Sequence, residues 1–152
     1  MALSNALRRS FGWQTIFVFT GCDFEVNVNY NINSETGVIM VDVDTAGVSN
    51  SGVSEVIMMN EQGAHHFDTY SDSNGIFLKG DKIGGWNEVN AERASFLSQA
   101  HHVAFGLQQI NGVRLFRGRE LVSSRLAWSG FGYSLPLTCQ RFAYTLRIDR
   151  LA

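Results

Sequence analysis

Phe24-Glu25-Val26-Asn27-Val28-Asn29-Tyr30-Asn31 alternates apolar and polar residues without a break. Successive side chains on a strand point to opposite faces, so strict period-two alternation marks a strand with one buried face. Turn residues follow at Asn33-Ser34-Glu35-Thr36-Gly37, and Val38–Asp44 then reads as the return strand. With Ser34–Gly37 as the loop, Tyr30 faces Val41 and Val28 faces Val43, while Asn29 faces Asp42 and Asn27 faces Asp44. Both strands then have one apolar and one polar face, and that agreement specifies the register.

On either side of this hairpin the pattern stays strand-like. Val53–Met59, Ala64–Tyr70, Ile76–Lys79, Glu120–Trp128 and Phe142–Ile148 read as strands, as does Trp13–Thr20 near the start. Thr45–Gly52 and Gly80–Gly85 read as loops, Glu61-Gln62-Gly63 as a turn, and Ser129–Ser134 as a glycine-aromatic bulge or loop. Asn111-Gly112 between Val103–Ile110 and Val113–Phe116 reads as a hairpin turn, with Ile110 facing Val113, Leu107 facing Phe116 and Phe105 facing Gly118. One helix is expected, from Asn87 to about His101. Asn87 caps it, Glu88 and Glu92 suit its positive end, and Val89, Phe96, Leu97 and Ala100 form a stripe, with Arg93 awkwardly among them. The sum is eight to ten strands and one helix. The fold class is mainly β: an antiparallel sandwich or barrel with one α-helix packed across it, in a single domain 1–152 with a lead-in at 1–12.

The chain of 152 residues is 45% hydrophobic and 17% charged, with one proline and two cysteines, Cys22 and Cys139. That excludes a disordered tail, a proline-rich linker, a disulfide framework and a four-cysteine zinc site. No stretch reaches the ~20 apolar residues of a membrane helix. Arg8-Arg9 stands ahead of a nine-residue apolar stretch broken by Gln14, which falls short of an export signal. An intracellular or virion location is expected.

Net charge is −2, but residues 1–92 sum to −8 and residues 93–152 to +6, the latter through eight arginines. Such a split suits head-to-tail docking of copies, acidic surface on basic surface. It also arises when strands from the two parts interleave and cancel locally. Arg114, Arg117 and Arg119, interleaved with Phe116, also suit single-stranded nucleic acid, but nucleic acid is not the expected partner. Together with Trp86, Trp128, Phe131 and Tyr133, which sit in or beside glycine-rich stretches, these arginines are the candidate interface residues.

Two further sets of residues could carry chemistry. Asn27, Asn29, Asp42 and Asp44 share one polar sheet face, an oxygen-rich set that suits calcium or sugar hydroxyls. His65-His66 and His101-His102 supply imidazoles for a metal. Adjacent residues on a strand point apart, so such a site takes one histidine from each pair, with Asp68 or Glu88 as the carboxylate. No nucleophile elbow, phosphate loop or His-Glu-x-x-His motif is present.

The expected function is a self-assembling structural subunit, with no cofactor, no catalytic residues and no membrane. Its partner is itself, with other proteins of the same assembly. A virion component such as a tube, collar or coat subunit fits by architectural analogy. The alternatives are a small carbohydrate- or calcium-binding β-module and a metal-dependent enzyme using the histidine pairs.

Overall fold

The computed structural model describes residues 25–48, 52, 55–121, 127–136 and 140–152. The lead-in, Trp13–Thr20, Cys22, Phe24, Arg125 and Cys139 lie outside them. The strands are β1 (Asn27–Asn33), β2 (Val38–Asp44), β3 (Glu55–Gly63), β4 (Thr69–Asp72), β5 (Phe77–Lys79), β6 (Asn87–Glu88), β7 (Arg93–Ser98), β8 (Val103–Gln108), β9 (Arg114–Leu121), β10 (Ala127–Pro136) and β11 (Arg141–Arg150). Short 3₁₀ turns occupy Ala46–Val48 and Gly80–Ile83.

β1 and β2 pair in the register that their alternation implies, Tyr30 with Val41, Val28 with Val43, Asn29 with Asp42 and Asn27 with Asp44. Asn33 builds the turn between them. Its Oδ1 accepts the backbone N–H of Glu35 and of Thr36, each at 3.0 Å. Val41 and Val43 are buried, whereas Met40 and Asp42 face outward. The last strand, β11, then pairs with β2 on one side and β8 on the other. The result is a seven-stranded antiparallel sheet ordered β1-β2-β11-β8-β7-β4-β5 and a four-stranded one ordered β3-β10-β9-β6. The two pack as a sandwich, and neither closes into a barrel.

Aromatic rings from both sheets interlock between the layers. Phe131 on β10 lies 4.8 Å from Phe96 on β7 and 6.3 Å from Tyr70 on β4, centroid to centroid. Tyr133 lies 4.6 Å from Tyr144. All four of Phe131, Tyr133, Phe96 and Tyr70 are fully buried. Each such side chain is worth about 1.5–3 kcal/mol relative to exposure. Buried hydroxyls need partners: Tyr133 donates to the Gln108 carbonyl, and Tyr144 donates to Asn60 Oδ1 at 3.3 Å across the layers. Burial, the leading cause in each case, raises the pKa of Tyr70, Tyr133 and Tyr144 well above the ordinary tyrosine value of 10.0.

The helix expected from Asn87 to His101 does not form. Asn87 and Glu88 pair with β9, and Arg93–Ser98 is strand β7. Ala94, Phe96 and Ser98 are buried in turn, a period of two that the apolar stripe had masked. Gln99–His102 is the β7–β8 turn, and His102 takes a left-handed φ of 51° to make it.

The Asn111-Gly112 expectation is half met. Val113 donates to the Ile110 carbonyl at 3.1 Å, and Gly112 supplies a φ of +75°, which a glycine adopts without steric penalty. The flanking segments are both strands, but they do not pair. β8 stays in the seven-stranded sheet between β7 and β11, while β9 crosses to the other sheet and pairs with β10 and β6. Glu61–Gly63 continues β3 rather than turning, the turn falling at Ala64–His66. Ser129–Ser134 is the middle of β10, which is flanked by β3 and β9 in the smaller sheet.

Candidate interaction surface

The outer face of the four-stranded sheet is built around glycines. Gly132 on β10 faces Met59 on one side and Phe116 on the other. Gly130 faces Gly118, and Ser134 faces Ile57 and Arg114. Missing side chains leave a trough, and two tryptophans fill it. A Cβ on Gly132 would stand 3.1 Å from the Trp86 ring, and one on Gly118 would stand 2.6 Å from the Trp128 ring. Glycine in a strand interior often marks such a close approach.

Trp86 reaches the trough from the loop that precedes β6. The amide of Asn87 holds that loop by donating to the Gly85 carbonyl at 2.7 Å, and Arg119 N–H donates to the Gly84 carbonyl at 2.9 Å. The two indoles lie 5.2 Å apart with planes inclined 34°. Phe116 meets Trp86 edge-on at 6.3 Å. Ile57, Met59 and Trp86 remain 54%, 38% and 48% exposed. The patch is therefore contiguous across β3, β10 and β9, with an apolar centre. Its rim is charged. Arg114 lies over Phe116 at 4.7 Å and spans both carboxylate oxygens of Glu88 at 3.3 and 3.4 Å. Glu61 stands on the diagonally opposite side of Gly132, and Glu120 accepts the Trp128 indole N–H at 3.3 Å.

Of the seven interface candidates, Trp86, Trp128 and Arg114 therefore meet on this face. Phe131 and Tyr133 are in the core, because the strand alternation that turns Gly130 and Gly132 outward turns them inward. Arg117 and Arg119 also point inward. The Arg117 guanidinium stacks 4.7 Å over Tyr70 and donates to the Ile83 carbonyl. Arg119 has a side chain only 9% exposed and bonds Asp81 at 2.9 Å. Ile57, Met59 and Phe116 were not among the candidates. The signal that could have found them is the glycine spacing of β10, which exposes whatever lies beside it.

The polar set Asn27, Asn29, Asp42 and Asp44 does share one outer face, at the edge of the larger sheet. Asn31 and Asn33 extend it alongside Val38, Met40 and Arg147, around a shallow depression. Asp44 is already committed there, accepting the Ala46 N–H at 2.9 Å and pairing with Arg141 at 3.4 Å. The histidine pairs meet across the fold. His101 Nε2 lies 3.1 Å from His66 Nδ1, while His65 and His102 sit beside them, all exposed. Asp68 instead accepts the Thr69 hydroxyl, and Glu88 pairs with Arg114. Among the described residues no three His, Cys, Asp or Glu side chains cluster as a metal site, and no helix is long and apolar enough to cross a membrane.

The charge split is resolved by strand order. Three ion pairs, Glu88–Arg114, Asp81–Arg119 and Asp44–Arg141, each join an acid of the first part to an arginine of the second. The two parts interleave, so these charges cancel within one molecule. Compared with known proteins, the chain matches no family model, no curated sequence and no solved structure. Its own geometry therefore carries the functional reading.

Proposed function

We propose that this protein is a self-associating structural subunit whose contact surface is the outer face of its four-stranded sheet. One observation carries the reading. Trp86, Met59 and Ile57 form an exposed apolar patch over a glycine trough, rimmed by Arg114, Glu61 and Glu88. Contiguous apolar patches with polar rims mark protein contacts, and Trp, Met and Arg are the residues enriched there.

A second copy of the chain suits the patch because the rim carries both signs on one diagonal. A twofold axis lying in the interface, across that diagonal, sets Arg114 of each copy over Glu61 of the other, with the apolar centres between them. The contact is isologous, unlike the head-to-tail docking that the charge split suggests. It is driven by apolar burial, so it persists at high salt. Native mass spectrometry of the untagged protein over a concentration series tests this. A dimer that survives raised ionic strength agrees with it. A chain that stays monomeric at every concentration overturns it.

The asparagine column favours a second, weaker reading. Asn27, Asn29, Asn31 and Asn33 alternate outward along β1 beside the depression, a row of amides that suits sugar hydroxyls. Glycan-array binding lost in Asn31→Ala would support it.

A further inference from the structure

We propose that His66 and His101 form a binding site for a borderline divalent transition-metal ion, of the Zn²⁺, Ni²⁺ or Cu²⁺ class. The two histidines are 35 residues apart in the chain, yet His101 Nε2 stands 3.1 Å from His66 Nδ1, with ring centroids 4.6 Å apart and planes inclined 64°. In the pair as it stands, one nitrogen donates a proton and the other accepts it. Replacing that shared proton by a metal ion gives both lone pairs to the ion. Zinc–nitrogen bonds of about 2.0–2.1 Å at a tetrahedral angle need the two nitrogens about 3.3 Å apart. The pair is already within a few tenths of an ångström of that bite.

Both backbones are fixed where the rings meet. His66 closes the turn after β3 by donating its N–H to the Gly63 carbonyl at 2.9 Å. The His101–His102 turn is tied at both ends, by His102 N–H to the Gln99 carbonyl at 3.4 Å and by Leu151 N–H to the His102 carbonyl at 2.8 Å. The side chains are exposed, so small rotations can open the bite without moving the core. Little ordering is then left to be done on binding.

The class of ion follows from the ligands. Imidazole suits Zn²⁺, Cu²⁺ and Ni²⁺, whereas Ca²⁺ and Mg²⁺ require oxygen. Two protein ligands leave the remaining positions to water, so the site is open and exchangeable. Its structural effect comes from its location. His66 lies on the connection from the four-stranded sheet to the seven-stranded one, and His101 lies on the β7–β8 turn of the seven-stranded sheet. A bound ion clips the two together. This inference does not depend on the self-association proposal, since it rests on the His66–His101 geometry alone.

Isothermal titration of the untagged, chelator-treated protein with zinc chloride and with nickel chloride tests it. The expected result is one ion per chain. Affinity should fall at least about tenfold in His66→Ala and in His101→Ala, a change of ~1.4 kcal/mol, and stay unchanged in His65→Ala and His102→Ala. The melting temperature should rise with metal in the wild type and not in His66→Ala. All four residues are exposed, so the variants fold. No stoichiometric binding overturns the proposal, as does equal binding in His66→Ala and His101→Ala or loss that follows His65 or His102 instead.

Discussion

Replacing Phe131 by alanine measures directly which way β10 faces. Phe131 has no exposed surface and sits between Phe96 at 4.8 Å and Tyr70 at 6.3 Å, joining the two sheets. Its flanking glycines are pinned, Gly130 by the Asn60–Glu61 backbone and Gly132 by Trp86 and Met59, so the backbone cannot collapse into the space the ring leaves. Phe→Ala in a core costs about 3–5 kcal/mol, and each lost aromatic pair adds about 0.5–1.5 kcal/mol beyond burial. The expected loss is therefore near the top of that range, about 4–5 kcal/mol. That is a large share of the ~5–15 kcal/mol available to a domain. At ~2–4 °C per kcal/mol for a chain of this size, it is about 8–20 °C in Tm. Urea unfolding followed by circular dichroism gives the number, with Ile57→Ala as the comparison. Ile57 lies on the outer face of the neighbouring strand and is 54% exposed, so its truncation should cost about 1 kcal/mol. A loss below about 1.5 kcal/mol for Phe131→Ala, or one equal to that of Ile57→Ala, would refute the assignment of residues 129–134 to a core strand.

Gly130→Ala should destabilise by about 1–3 kcal/mol, because its Cβ would stand 2.4 Å from the Asn60 carbonyl oxygen, a backbone atom that cannot swing aside. Gly85→Ala, with nothing within 4 Å of its Cβ, should stay within about 0.5 kcal/mol by the same denaturation assay. Tyr70, Tyr133 and Tyr144 hold their protons more tightly folded than unfolded. Their contribution is complete below about pH 10 and is lost as pH rises above it, so Tm should fall increasingly steeply between about pH 10 and 12. A flat Tm across that window would contradict the burial of these hydroxyls. Glu88→Gln removes an exposed ion pair to Arg114 and should cost no more than about 0.5 kcal/mol of monomer stability.

The β1–β2 hairpin was legible because two independent faces had to agree, and only one register satisfies both. The seven-stranded sheet around it was not, since β11 reaches β2 from about a hundred residues away and no local pattern announces that pairing. The Asn87–His101 segment misled for a specific reason. Val89, Phe96, Leu97 and Ala100 fit a helical stripe, whereas the buried positions of the real strand are Ala94, Phe96 and Ser98. Two of those three are small residues that barely register as apolar. At Asn111-Gly112 the turn chemistry was readable, but a turn does not say whether its arms pair or part. The glycines of β10 resembled a loop because glycine weakens a strand in isolation. Only the fold shows that Trp86 and Trp128 cover the gaps. Of the candidate site, Trp86, Trp128 and Arg114 were visible in sequence as residues, and the face that unites them was not. The histidine contact was not legible: the rule of one from each pair assumed strands, whereas both pairs lie in turns, and only the fold brings His66 to His101.

If copies meet through the outer face of the four-stranded sheet, Met59→Lys should keep them apart. Met59 is 38% exposed beside Gly132 and Trp86, so a lysine there can extend into solvent in a free chain but places a charge at the centre of the proposed contact. Sedimentation velocity of the untagged wild type and this variant, at matched concentrations and two ionic strengths, reads the outcome. A concentration-dependent wild-type dimer is expected at both ionic strengths, with a monomeric variant that keeps the melting temperature of the dissociated wild type. A wild type that remains monomeric up to about 100 μM, or a variant that dimerises as well as the wild type, contradicts a contact through that face.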